Sequence, residues 1–175
     1  MKQSLAIATS VGLLVWGWTF VSLSFLEPRV LTWITFLTWA SFYAAGGGVN
    51  GLSKSIASGV LGVAASFAVM WIDSQLGLTQ YHLLVLSLLL GVLGWVLCAL
   101  ASAPLLSCIP ASFIGAAAFF GAGAPMDIKL LWILCSIVIG ALLGLASQKL
   151  AGALTQSVAT ATSPTDAQQR QSVGP

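Results

Sequence analysis

Charge is what this chain has least of. Among 175 residues there are six lysines and arginines, four aspartates and glutamates and one histidine, far below the charge density of a water-exposed surface. A formal net charge of +2 is too small for a nucleic-acid footprint, so nucleic acid is excluded as a partner. Cysteine is scarce as well. Cys98, Cys108 and Cys135 are odd in number, lie inside apolar runs and have no CxxC spacing, so they read as small packing residues, with neither a disulfide framework nor a metal site. His82 is the only histidine and Asn50 the only asparagine. Without a second histidine or a carboxylate inside an apolar run, no triad can be assembled, and the expectation is a non-enzyme without a cofactor. The apolar runs are also free of Asp, Glu, Lys and Arg. A charge at the bilayer centre costs at least ~2.5–3.5 kcal/mol and marks ion and proton paths, so a proton-coupled pump is not expected.

What is present is apolar. Hydrophobic residues make up 58% of the chain and the mean hydropathy is +1.01, which makes the bilayer its solvent and lipid its first partner. Six apolar runs can be drawn: Leu5 to Leu26, Val30 to Ala45, Ser55 to Ile72, Leu83 to Ala101, Leu105 to Phe120 and Leu130 to Gln148. The first is too long for a signal-peptide core and is followed by Glu27-Pro28 in place of small cleavage-site residues, so it reads as a retained span. Runs one, three, four and six hold 22, 18, 19 and 19 residues, close to the ~20 needed to cross a ~30 Å hydrocarbon core. Runs two and five hold 16 each, about 24 Å of helix, and read as short spans or re-entrant half-helices. The expected fold is an all-α, polytopic membrane helix bundle with six spans, two of them short. Residues 1–152 form the transmembrane domain, and 153–175, polar and without apolar period, a disordered tail.

Basic residues choose the orientation. With six crossings and the N-terminus inside, Lys2, Lys54, Lys149 and Arg170 are cytoplasmic while Arg29 and Lys129 are outside. Re-entrant runs two and five would even that bias, so the positive-inside rule favours six spans with both termini cytoplasmic. Internal matches point the same way. Gly12/Trp16 recur as Gly91/Trp95 at a spacing of 79, Phe42/Gly46 as Phe119/Gly123 at 77, and Ser58/Gly62/Ser66 as Ser136/Gly140/Gly144 at 78. A rival match of Ala40-Ser41-Phe42 with Ala111-Ser112-Phe113 has a spacing of 71. Three spans per half would make the halves an inverted repeat, as in many transport folds.

Two breaks are the chain's most distinctive features. Gly46, Gly47 and Gly48 end run two just before Asn50, and Gly121 and Gly123 end run five. Backbone groups freed there need protein or cavity water, because lipid offers no partner; ordinary interfacial turns are the plainer account. Pro110 is expected to kink run five. Thr35, Thr38 and Ser41 lie beside the stripe Phe36, Trp39 and Tyr43, which reads as an aromatic constriction or as a packed interface. With Asn50, Pro110, Ser112 and the break glycines, these hydroxyls form a candidate pore lining. Ser58-x3-Gly62-x3-Ser66 and Ser136-x3-Gly140-x3-Gly144 are small-residue ridges for close helix packing, within the chain or in a homo-oligomer. Trp18, Trp71 and Trp132 lie toward run ends as lipid anchors, and His82 reads as an interfacial polar residue beside Tyr81 or as a pH-sensing gate.

Two stretches carry a family likeness. Trp39-Ala40-Ser41-Phe42-Tyr43 leading to Gly47-Gly48-Val49-Asn50-Gly51-Leu52, and Leu105-Leu106-Ser107-Cys108-Ile109-Pro110-Ala111-Ser112-Phe113-Ile114-Gly115, resemble the YcdZ-like family of uncharacterised bacterial inner-membrane proteins. The resemblance covers roughly residues 5–150. Its members tend to carry Lys where Asn50 stands, and Lys54 lies one helical turn away. The resemblance implies a multi-span protein of the bacterial inner membrane and supplies no activity. The expected function is a passive channel or facilitator for a small neutral solute, with a non-transporting scaffold or accessory subunit as the alternative.

Overall fold

The computed structural model describes residues 3–77 and 81–161. Its helices are α1 (Gln3–Val21), widening into a π-helical turn at Ser22–Leu26, α2 (Thr32–Ala44), α3 (Gly48–Leu76), α4 (His82–Leu100), α5 (Ile109–Gly121) and α6 (Lys129–Ala161). No strand occurs among the described residues. The segments Ser4–Leu26, Gly48–Leu76, His82–Leu100 and Lys129–Gln156 are long and apolar enough to cross a membrane. The other two helices, α2 and α5, have 13 residues each. That is about 20 Å of helix, less than a ~30 Å hydrocarbon core.

Sequence chemistry sets these boundaries. At the end of α2, Gly46 takes φ +94°. The N–H of Gly47 then reaches back to the Phe42 carbonyl at 3.1 Å and that of Gly46 to Tyr43 at 3.0 Å, the paired bonds of a Schellman cap. The end of α5 repeats this 77 positions later: Gly123 takes φ +88°, Ala124 N–H bonds Phe119 O at 3.0 Å and Gly123 N–H bonds Phe120 O at 2.9 Å. Both breaks are therefore helix ends whose backbone groups are satisfied locally. Pro110 does not kink a helix. The expected run five divides into a 3-10 turn at Pro104–Leu106 and α5, and Pro110 sits in the first turn of α5, where no N–H is required of it. Asn50 is not in a loop but in the first turn of α3. At the other terminus α6 continues through Ala161, past the expected domain boundary at 152; residues 162–175 lie outside the described residues.

The short helices are the inside of the bundle. α5 lies against α3, α2 lies against α6, and α3 meets α6 between them. α1 leans on α6, and α4 on α3 and α5. The core is Ile34, Val63, Ala118, Phe119, Ile133 and Ile137, with a second cluster of Val69, Leu93, Leu97 and Ala116. Both small-residue ridges are occupied within the chain. A Cβ on Gly62 would overlap the Ser112 carbonyl oxygen of α5, and one on Gly140 the Thr35 carbonyl oxygen of α2. Gly144 faces the Phe42 ring, and Gly115 meets the Gly59 carbonyl. Close approach of this kind substitutes packing for the hydrophobic drive that lipid cannot supply between helices.

Because the clashing atoms are backbone, even a methyl group is expected to separate the helices. Gly62→Ala and Gly140→Ala should each destabilise the protein by roughly 1–3 kcal/mol through overpacking. Gly12→Ala and Gly91→Ala, where an added Cβ meets nothing within 4 Å, should leave stability unchanged or raise it by up to about 1 kcal/mol. Thermal unfolding in detergent checks this, and equal midpoints for all four variants would contradict it.

Candidate functional site

The hydroxyls of α2 are drawn into its own packing. Thr35, Thr38 and Ser41 are 0–1% exposed. Thr35 donates to the Thr32 carbonyl at 2.6 Å and accepts from Trp18 Nε1 at 2.8 Å, so Trp18, placed at a run end as a lipid anchor, also ties α1 to α2. Thr38 donates to the Ile34 carbonyl at 2.9 Å. Ser41 donates to the Thr38 carbonyl and accepts from Ser55 of α3 at 2.5 Å. Ser22 and Thr32 are bonded at 2.7 Å, and Thr32 donates on to Glu27 Oε1 at 3.0 Å. A helix that satisfies each hydroxyl this way presents no open polar face.

The remaining candidate residues are divided between the two ends of the bundle. Gly46, Gly47, Gly48 and Asn50 lie at the end where Gly48 N–H donates to Gln148 Oε1 at 2.7 Å. At this end a 220 Å³ cavity is lined by Ala44, Ala45, Lys54, Ser107, Cys108 and Pro110. Asn50 and Pro110 are exposed there. Gly121 and Gly123 lie at the other end, where Gly121 faces the Trp33 ring. The two breaks are thus kept apart by the antiparallel placement of α2 and α5. Between them Ser112 is fully buried against α3, and its hydroxyl, with those of Ser58 and Ser66, has no hydrogen-bond partner. Ser136 differs from its counterpart Ser58: it accepts from Leu31 N–H at 2.9 Å and donates to the Trp132 carbonyl.

The densest polar knot is centred on a residue not singled out by sequence. Ser147 donates to the Gly144 carbonyl at 2.7 Å and accepts from Trp39 Nε1 at 3.0 Å and from the Tyr43 hydroxyl at 2.7 Å. Of the stripe Phe36, Trp39 and Tyr43, the last two are therefore tied to α6. The available signal was position: Ser147 prolongs the ridge Ser136-Gly140-Gly144 by one more turn, and Gln148 is the polar residue closing run six. His82 Nε2 lies 3.0 Å from Asp73 Oδ2, bridging α3 to the start of α4 on the exposed surface.

Comparison with known proteins agrees with this membrane architecture. The family described as "Protein of unknown function (DUF1097)" matches residues 7–152. The chain is 34% identical over 150 residues to Inner membrane protein YcdZ of Escherichia coli strain K12, covering 83% of this chain and 84% of that protein. It is 33% identical over 134 residues to Uncharacterized protein YahC of the same strain, covering 73% and 79%. It is 31% identical over 149 residues to Inner membrane protein YcdZ of Salmonella typhimurium, covering 83% and 86%. No solved structure matches it.

Ser147→Ala should leave the Trp39 N–H and the Tyr43 O–H without their acceptor, destabilising the protein by roughly 1–3 kcal/mol. Ser87→Ala, whose hydroxyl only bonds back to Leu83 on an exposed face, should change stability by less than about 0.5 kcal/mol. Thermal unfolding in detergent distinguishes the two, and an unchanged midpoint for Ser147→Ala would show that the knot contributes nothing.

Proposed function

The chain belongs to the DUF1097 family, is an integral inner-membrane protein, and on that premise we propose that it is a non-transporting membrane scaffold or accessory subunit. One observation carries this reading. Every hydroxyl expected to line a path, Thr35, Thr38, Ser41 and Ser112, is 0–1% exposed, whereas a lining residue must present surface to whatever passes it. Three of the four also hold bonds to backbone or to another helix. The ridges are occupied inside the chain, so a partner subunit meets the outer faces of α1 and α4, where Trp16 and Trp95 are 77% and 72% exposed.

A second reading, a passive facilitator for a small neutral solute, has a specific observation in its favour. The buried hydroxyls of Ser58, Ser66 and Ser112 lack partners, and a buried polar group without one costs about 1–3 kcal/mol. A permeating solute or water would satisfy them if α3 and α5 part. Proteoliposome flux separates the readings. Wild-type vesicles should be no more permeable to urea, formamide or glycerol than empty ones. A higher flux that Asn50→Leu or Ser112→Leu abolishes would establish the facilitator and overturn the scaffold. Gly91→Ala, where an added Cβ meets nothing within 4 Å, is the control.

We further propose six crossings with both termini cytoplasmic. Lys54 and Gln148 lie at one end of the bundle, and the Glu27 and Ser136 contacts with the start of α2 lie at the other, next to Arg29 and Lys129. This separation of Lys54 from Arg29 and Lys129 supports the arrangement. Impermeant thiol reagents should label Lys54→Cys from the cytoplasm and Lys129→Cys from the periplasm, in a background where Cys98, Cys108 and Cys135 are replaced. Labelling of position 54 from outside would reject the arrangement.

A further inference from the structure

A groove lies between α1 and α2. Ile7, Val11 and Val15, spaced four apart on one stripe of α1, face Phe36, Trp39, Ala40 and Tyr43 on α2 across a groove of 530 Å³. Nothing polar lines its long part. At one end it runs on into a second cavity of 500 Å³ that shares Ile7 and Tyr43 and adds Gln148, Ala151, Gly152, Thr155 and Gln156. The joined groove is apolar along the bundle and polar at its mouth, the end that carries Gly48 and Lys54.

The corresponding place in the second half of the sequence is filled. In the other half, the helix pair α4 and α5 has the same order and the same short inner helix, and Phe113, Ala116, Ala117 and Phe120 stand 77 positions beyond the groove residues of α2. There the helices close. Leu86, Leu89 and Leu93 of α4 pack with Ala116 and Phe120, and the tip of the Phe113 ring lies 4.0 Å from where a Cβ on Gly94 would be. A short inner helix does not by itself leave a groove; here α1 leans on α6 and bonds to α2 through Trp18–Thr35 and, at its π-helical end, Ser22–Thr32.

We propose that this groove is a binding site for one phospholipid, its acyl chain between α1 and α2 and its glycerol ester region at the Tyr43–Gln148 mouth. At membrane depth the groove opens to hydrocarbon, so its occupant is apolar over the length of Val15 to Ile7. At the mouth Gln148 Oε1 already accepts from Gly48 N–H, which leaves the amide NH₂ to donate, and an ester carbonyl is an acceptor. Thr155 donates to the Ala151 carbonyl, so its oxygen also offers lone pairs to a glycerol or headgroup hydroxyl. The polar mouth favours a lipid over a helix of a second copy, because an ester carbonyl and a headgroup meet the amide and hydroxyl there, which the apolar outer faces of this chain's own helices would not.

Native mass spectrometry of the full chain in mild detergent tests this, with palmitoyl-oleoyl phosphatidylethanolamine and phosphatidylglycerol added in turn. Wild-type protein should retain one lipid of either kind. Ala40→Trp, an exposed position on the groove wall, should lower retention about tenfold or more, the equivalent of about 1.4 kcal/mol in binding. Ala117→Trp, the corresponding exposed position on the closed side, should retain lipid like the wild type. Val11→Phe, which fills the groove from the opposite wall, repeats the test if Ala40→Trp fails to fold. Equal retention by wild type, Ala40→Trp and Val11→Phe would overturn the site. So would a dimer in lipid nanodiscs that Ala40→Trp abolishes, since the groove would then belong to a second copy.

Discussion

The bundle depends on two places where backbone touches backbone. Gly62 of α3 against the Ser112 carbonyl of α5, and Gly140 of α6 against the Thr35 carbonyl of α2, bring each long helix directly onto a short one. In water, apolar side chains would hold such helices together; in lipid that drive is absent, and contact area at short range takes its place. The two contacts stand 78 residues apart on the long helices and 77 apart on the short ones. Each contact crosses from one half of the sequence to the other, α3 onto α5 and α6 onto α2.

Close packing then governs where polar atoms go. With α2 pressed onto α6, the hydroxyls of Thr35, Thr38 and Ser41 and the Trp39 and Tyr43 donors are enclosed. Enclosure in a medium without water obliges them to find partners within the protein. Most do so at the preceding turn of their own helix, and a few, such as Ser147 with Trp39 and Tyr43 or Ser41 with Ser55, bond from helix to helix. The serines of the α3–α5 contact stand apart, because Ser58, Ser66 and Ser112 are buried without such a bond. One half of the bundle is therefore polar glue throughout, and the other holds hydroxyls in reserve.

Outside the core α4 closes on α5 through leucines and Phe120, while α1 rests on α6 and bonds to α2 through Trp18–Thr35 and Ser22–Thr32. Between α1 and α2 lies a groove whose far end is lined by Gln148 and Thr155. Scaffold, subunit and lipid site are compatible readings of such a molecule: a tight interior that leaves its exchangeable contacts to the outer helices and to lipid.

Much of this was legible in the residues. Low charge and six apolar runs determined an all-α membrane protein. The three glycines after Tyr43 and the Gly121–Gly123 pair determined where α2 and α5 end, because φ near +90° at a cap is open to glycine and strained for other residues. The spacing of four in the two ridges determined that long helices would approach something closely. What met those ridges was decided by tertiary structure alone: spacing describes one face of one helix, and its partner lies some 50 residues away from Gly62 and farther still from Gly140. The same limit applied to the hydroxyls of α2, whose pattern suits a pore lining and a packed seam equally until neighbouring backbone shows which. Pro110 was read as a kink inside run five, and only the break between the 3-10 turn and α5 showed that it stands in a first turn instead. The groove between α1 and α2 had no local signature, because it is the space left where two apolar stripes fail to meet.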